Sequence, residues 1–168
     1  MNETKKMMNI TMLVAIGILF HLIESMIVLP IVIPGFKLGL ANIIGLITLY
    51  RYDNRMMFTI NLMRVFLASL MRGILFSPGF WLSLCGVTLS TCVAIVAKKH
   101  TQMSIFGVSC AAASAHVIGQ MMAVSVLYQQ LLLGIWMPSL LLLSIPTGLC
   151  TGYLANEVIK RIHGKERV

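Results

Sequence analysis

Apolar runs long enough to cross a bilayer follow one another along almost the whole chain, joined only by short polar segments. At a helical rise of about 1.5 Å per residue, roughly twenty such residues match a hydrocarbon core about 30 Å thick. With 58% hydrophobic and 11% charged residues over 168 positions, and a mean hydropathy of +0.92, one soluble core could not hide this much apolar surface. The expected fold is therefore an all-α integral membrane protein. Six windows qualify, at residues 7–29, 38–50, 56–75, 80–97, 103–128 and 132–159, as one transmembrane bundle that takes up all of residues 1–168. The second window is short and the sixth long. Span two is thus expected to start within the Pro30 to Phe36 segment, and span six to tilt or kink at Pro146.

The net charge of +8 comes from basic residues that fall in short clusters between apolar runs, a pattern of topology and not of nucleic-acid binding. Lys5 and Lys6, Arg51 and Arg55, Lys98 and Lys99, and Lys160, Arg161, Lys165 and Arg167 occupy the N-terminus, alternate joints and the C-terminus. By the positive-inside rule these regions, and both termini, are expected to be cytoplasmic. Lys5 and Lys6 ahead of an apolar stretch imitate a signal peptide, but the stretch runs on to Leu29 with no Ala-x-Ala site, so it is expected to be kept as the first span. Cys85, Cys92, Cys110 and Cys150 sit inside apolar runs with no CxxC spacing, which reads as small packing residues and implies neither disulfide nor metal.

Against this background the polar residues within the spans need a cause. An ionised side chain at mid-bilayer costs about 2.5 to 3.5 kcal/mol on insertion scales, so such residues face a partner, a ligand or water. His21 and Glu24 lie about 21 and 26 Å above Met7, Arg64 and Arg72 about 12 and 24 Å above Met56, and His116 and Gln120 about 20 and 26 Å above Met103. Lys37 begins span two at the outer surface, with Asn42 about 7 Å below it. Four spans thus aim polar groups at one outer layer, and the i,i+3 and i,i+4 spacings keep each set on one helix face. One reading is structural, with Glu24 neutralising Arg64 or Lys37. The other is a site, because Lys37, Arg64 and Arg72 against Glu24 leave an excess of about two positive charges that an anion would balance.

The outer joints, Pro30 to Gly35 and Phe76 to Trp81, are mostly apolar and have the composition of lids, which would favour an amphipathic anion; Phe80 and Trp81 could equally be interfacial anchors. Ser144, Gly148 and Gly152 recur every fourth residue in span six, and Thr11 with Ala15 forms a small-xxx-small pair near the inner end of span one. Such faces allow close helix approach, chiefly inside the bundle, and the inner position of Thr11 and Ala15 also suits a docking surface.

Lys37-Leu-Gly-Leu-Ala-Asn42, Leu62-Met-Arg64 with Leu67-Ala68-Ser69, Ser77-Pro78, and Ala115-His116-Val-Ile-Gly119-Gln120 resemble the Gx transporter family, also labelled heptaprenyl diphosphate synthase component I. The resemblance runs from about Leu29 to Gly152. That family is in turn similar to the substrate-binding S components of energy-coupling factor (ECF) transporters, six-helix membrane proteins with an external ligand site. It implies a pocket lined by Lys37, Asn42, Arg64, His116 and Gln120, and, as partners, a transmembrane T component and two ATPase subunits. S components carry an Ala-x-x-x-Ala docking motif on helix one, to which Thr11-x-x-x-Ala15 is the nearest match here.

The synthase label conflicts with the chemistry of the chain. Prenyl diphosphate synthases hold magnesium through aspartate-rich clusters, and this chain has a single aspartate, Asp53. There is no GxxxxGK[ST] loop, paired-carboxylate site or nucleophile motif, so no catalytic residue and no cofactor is expected, and ATP is expected to be used by the partner subunits alone. The expected function is capture of an amphipathic anionic small molecule, such as an isoprenoid phosphate, quinone precursor or vitamin-like compound, as an S subunit in a bacterial cell membrane. The alternative is a non-catalytic membrane accessory subunit of isoprenoid or quinone synthesis. A standalone carrier is less favoured because no inverted repeat is visible.

Overall fold

The computed structural model describes residues 3–26, 39–129 and 133–165, all of it helices and short joints. In chain order the helices are α1 Glu3–Met26, α2 Leu40–Arg51, α3 Asn54–Met71, α4 Pro78–His100, α5 Ile105–Tyr128 and α6 Leu133–Lys165. Parts of α1 and α6, and all of α4 and α5, are long and apolar enough to cross a bilayer. α3 is 18 residues long but carries Arg55, Asn61 and Arg64, and α2, with 12 residues, reaches only about 18 Å. Both the Pro30 to Gly35 joint and Lys37 lie outside the described residues.

Local chemistry sets the helix ends. Asp53 accepts from the Asn54 amide, Ser77 from the Phe80 amide and Ser104 from the Gly107 amide, which are N-caps in front of α3, α4 and α5. Pro78 takes the first position of α4, where its missing N–H costs nothing. The Phe76 to Trp81 stretch is therefore not all connecting segment: Phe80 and Trp81 belong to the first turn of α4. α3 ends four residues earlier than its apolar run suggests. Gly73 adopts φ 65°, its amide donates to Leu70 O, and the Ile74 amide donates to Ser69 O, a left-handed stop that closes the helix after Met71.

The helices pack in a ring, each against the next in the order α1, α3, α4, α5, α6, α2 and back to α1, with α2 also touching α3 and α4. Lipid offers apolar surface as readily as a core does, so close packing and hydrogen bonds must hold such a ring. Glycines allow the closest crossings. A Cβ at Gly119 of α5 would stand 2.7 Å from Cys85 O of α4, and one at Gly148 of α6 would stand 2.7 Å from Cys110 Cα of α5. The small residues of span six thus pack inside the bundle, where Ser109 donates to Gly148 O at 2.6 Å and Ser114 and Ser144 share a hydrogen bond at 2.9 Å. At the far end of α2, Lys98 donates to Leu49 O at 2.6 Å and lies 4.8 Å above the Tyr50 ring, fixing α4 to the end of that helix.

One half of the ring is filled. Ile43, Ile44, Leu46 and Leu49 of α2 lock with Val14, Met57, Ile60, Ala94 and Val108 in a continuous apolar core. The outer surface is apolar as well, with Val126 79% and Leu142 73% exposed, as expected of side chains facing lipid and not water.

Candidate ligand cavity

A cavity lies beside the first turn of α2, inside the ring, and all six helices contribute to its wall. α1 supplies His21 and Glu24, α3 supplies Arg64, α5 supplies His116 and Gln120, and the start of α2 supplies Gly39, Ala41 and Asn42. Six of the eight side chains singled out in the sequence therefore meet in one cavity. Its enclosed volume of about 40 Å³ holds about three waters at about 10 to 15 Å³ each.

Arg64 is the most constrained member, only 1% exposed. Its Nη1 donates to Ala41 O at the start of α2, while its Nε is buried with no hydrogen-bond partner among the described residues. Its stem runs past α1 at Gly17, where a Cβ would come within 3.2 Å of Arg64 Cδ. Glu24, 9% exposed, accepts from the Gly39 amide at the head of α2 and lies within electrostatic reach of the guanidinium. Gly39, at φ 78°, takes a left-handed turn that suits glycine. On the opposite wall, Gly86 of α4 makes room for α5: a Cβ there would meet Gln120 Cγ at 2.9 Å and His116 Cε1 at 3.0 Å. One turn below Arg64, Asn61 donates to Thr91 at 2.8 Å.

Arg72 does not join this group. It caps the C-terminus of α3, where the chain leaves the helix through Gly73, and its side chain is exposed. The expected surplus of cations shrinks accordingly: the described lining holds one guanidinium and one carboxylate, and Lys37 lies outside the described residues. The aromatic residues of the outer joint are also absent from the wall. Phe80, 1% exposed, packs edge-on against Phe66, Phe76 and Trp81 at centroid distances of 5.4 to 5.7 Å. Val87 touches both this cluster and the cavity.

Ser83 of α4 and Ser144, Thr147 and Thr151 of α6 line the cavity too, and sequence reasoning missed them as site residues. Their signal was present: positions 144, 147 and 151 fall on one helix face. Among the described residues no group of three or more His, Cys, Asp and Glu is placed to hold a metal ion.

A family model described as heptaprenyl diphosphate synthase component I matches residues 13–158, a stretch that contains every residue lining the cavity. The chain belongs to that family. No curated protein and no solved structure matches it. Within this heptaprenyl diphosphate synthase component I family member, the matched region takes in most of the ring of helices, and the cavity lies inside it.

Proposed function

We propose that this protein captures an amphipathic anion from the outer side of the cell membrane, as the S subunit of an ECF-type uptake transporter. The observation that carries this reading is a guanidinium buried to 1% exposure in a cavity shared by six helices, with one N–H still unsatisfied. Such a group is retained inside a membrane protein at a cost, and serving a ligand gives it a reason. The first turn of α2 adds its positive helix end at the same place. Val87, Val117 and Leu140 give the wall an apolar portion for the rest of the molecule. An enclosed volume of about 40 Å³ suits an anionic head group, so a longer apolar tail would displace side chains or extend beyond the cavity. The family description points to prenyl diphosphates as the class of anion. The clustering of basic residues supports cytoplasmic termini, and hence an external cavity.

Thr11 and Ala15 lie on the exposed side of α1, beside Met8, Met12, Ile16 and Leu19, which supports a docking face for a T component and its two ATPases. Leucine at either position would block close helix approach. Thr11→Leu and Ala15→Leu are therefore expected to abolish copurification with a T component and ATP-dependent uptake of a labelled isoprenoid phosphate. Ligand binding should persist, since His21 is about 9 Å further along α1 than Ala15. The second reading, an accessory subunit that holds a prenyl diphosphate for an enzyme elsewhere, is favoured by the family description. In that case the same binding occurs with no uptake, whether or not the ATPases are present.

A further inference from the structure

The carboxylate of Glu24 does what a ligand's anionic group would do. It accepts from the Gly39 amide at the positive end of α2 and lines the same cavity as Arg64, on a side chain that is 9% exposed. With Glu24 in place the described lining is neutral, and a second anion entering the same space would meet like charge in a region poor in water, which is strongly unfavourable. Yet Arg64 keeps an unsatisfied buried N–H, so one carboxylate does not exhaust what it can bind.

We infer that Glu24 is a built-in competitor for the anion position, which an incoming anion must displace from the first turn of α2 before it can reach Arg64. This deepens the capture reading proposed above and rests on it. The resident carboxylate places a negative charge in the cavity of Arg64 when no ligand is bound, and it raises the threshold for entry. A singly charged carboxylate ligand would merely exchange one carboxylate for another. A phosphate or diphosphate head group brings more charge and more acceptor oxygens, and can take the unsatisfied N–H as well. The competition thus selects for phosphorylated ligands over simple carboxylates. Because Glu24 also joins α1 to α2, its displacement would release that contact when the ligand enters.

The test measures binding of inorganic diphosphate, with acetate as comparison, to the full-length protein in detergent. Glu24→Gln keeps an oxygen acceptor for the Gly39 amide but removes the competing charge, so diphosphate should bind at least about tenfold tighter than to the wild type, and acetate should gain as well while remaining the weaker ligand. The double variant Glu24→Gln with Arg64→Gln removes the guanidinium as well as the carboxylate of the described lining and should lose that binding. Diphosphate binding unchanged or weakened in Glu24→Gln, yet lost in the double variant, would overturn the competition and leave the anion site standing. Equal binding in Glu24→Gln and the double variant would overturn the anion site at Arg64 itself, and absence of binding in every form would do the same. Should Glu24→Gln fail to fold, Glu24→Asp withdraws the carboxylate by one methylene and should tighten diphosphate binding in the same direction; an unchanged affinity there would count against the competition.

Discussion

Arg64→Gln alone is expected to lower the stability of the detergent-solubilised protein by about 3 kcal/mol, the upper end for losing a charged hydrogen bond and leaving its buried acceptor unsatisfied. The loss has two sources. Ala41 O gives up its charged donor, and Glu24 loses the positive charge of the guanidinium that shares its cavity. Adding Glu24→Gln removes the stranded charge, so the double variant should regain more than half of the lost stability. Thermal unfolding of the four proteins in the cycle gives the coupling directly. If the two single changes add with no coupling, Glu24 and Arg64 do not act as a pair, and the charge balance of the cavity has to be found elsewhere. The cycle also explains why the double variant is the suitable loss-of-binding protein: it alters the anion site without leaving a buried charge behind.

Gly119→Ala is expected to have the second largest effect. A methyl at this position would sit 2.7 Å from Cys85 O and 3.0 Å from Gly86 Cα, against backbone that cannot turn aside. α4 and α5 must move apart, at a cost of about 1 to 3 kcal/mol by comparison with overpacked cores. Separation would also disturb the wall of the cavity, because His116 and Gln120 flank Gly119 on α5 and fit against Gly86 on α4. Ligand binding should therefore weaken together with stability. Gly79→Ala is the control: its nearest neighbour would be Ser77 Oγ at 3.7 Å, an ordinary contact, so stability should stay within about 0.5 kcal/mol of the wild type. Equal, small effects of both substitutions would show that the crossing tolerates more space than its geometry suggests.

The bundle was largely legible in the sequence because bilayer thickness turns apolar length into helix length, and because capping residues are local. The six expected spans correspond to six helices, with ends differing by a few residues. At two of these ends a single residue explains the difference: Gly73 stops α3 early, and Pro78 starts α4 inside what composition marked as a joint. The cavity was legible through charge. His21, Glu24, Arg64, His116 and Gln120 stand out in apolar runs, helical rise placed most of them in one layer, and all five line the cavity. Arg72 fell outside the cavity because rise and spacing carry no information on where a helix ends. The hydroxyls of Ser144, Thr147 and Thr151 were overlooked for a different reason. Serine and threonine in membrane helices usually satisfy themselves on their own backbone, as Thr147 does with Leu143 O and Ser144 O, so their presence on a face does not announce a cavity. The sequence offered Arg64 and Lys37 alike as the cation near Glu24; Arg64 lies within its electrostatic reach, and Lys37 lies outside the described residues.

Capture of an amphipathic anion at Arg64 is tested most directly by mass spectrometry of the small molecules that copurify with the full-length protein, in parallel with the Glu24→Gln, Arg64→Gln double variant prepared in the same way. The expected result is a phosphorylated amphipathic compound retained by the wild type and absent from the double variant. Retention of the same compound by both proteins, or a wild type that carries only uncharged molecules, would contradict the proposed site.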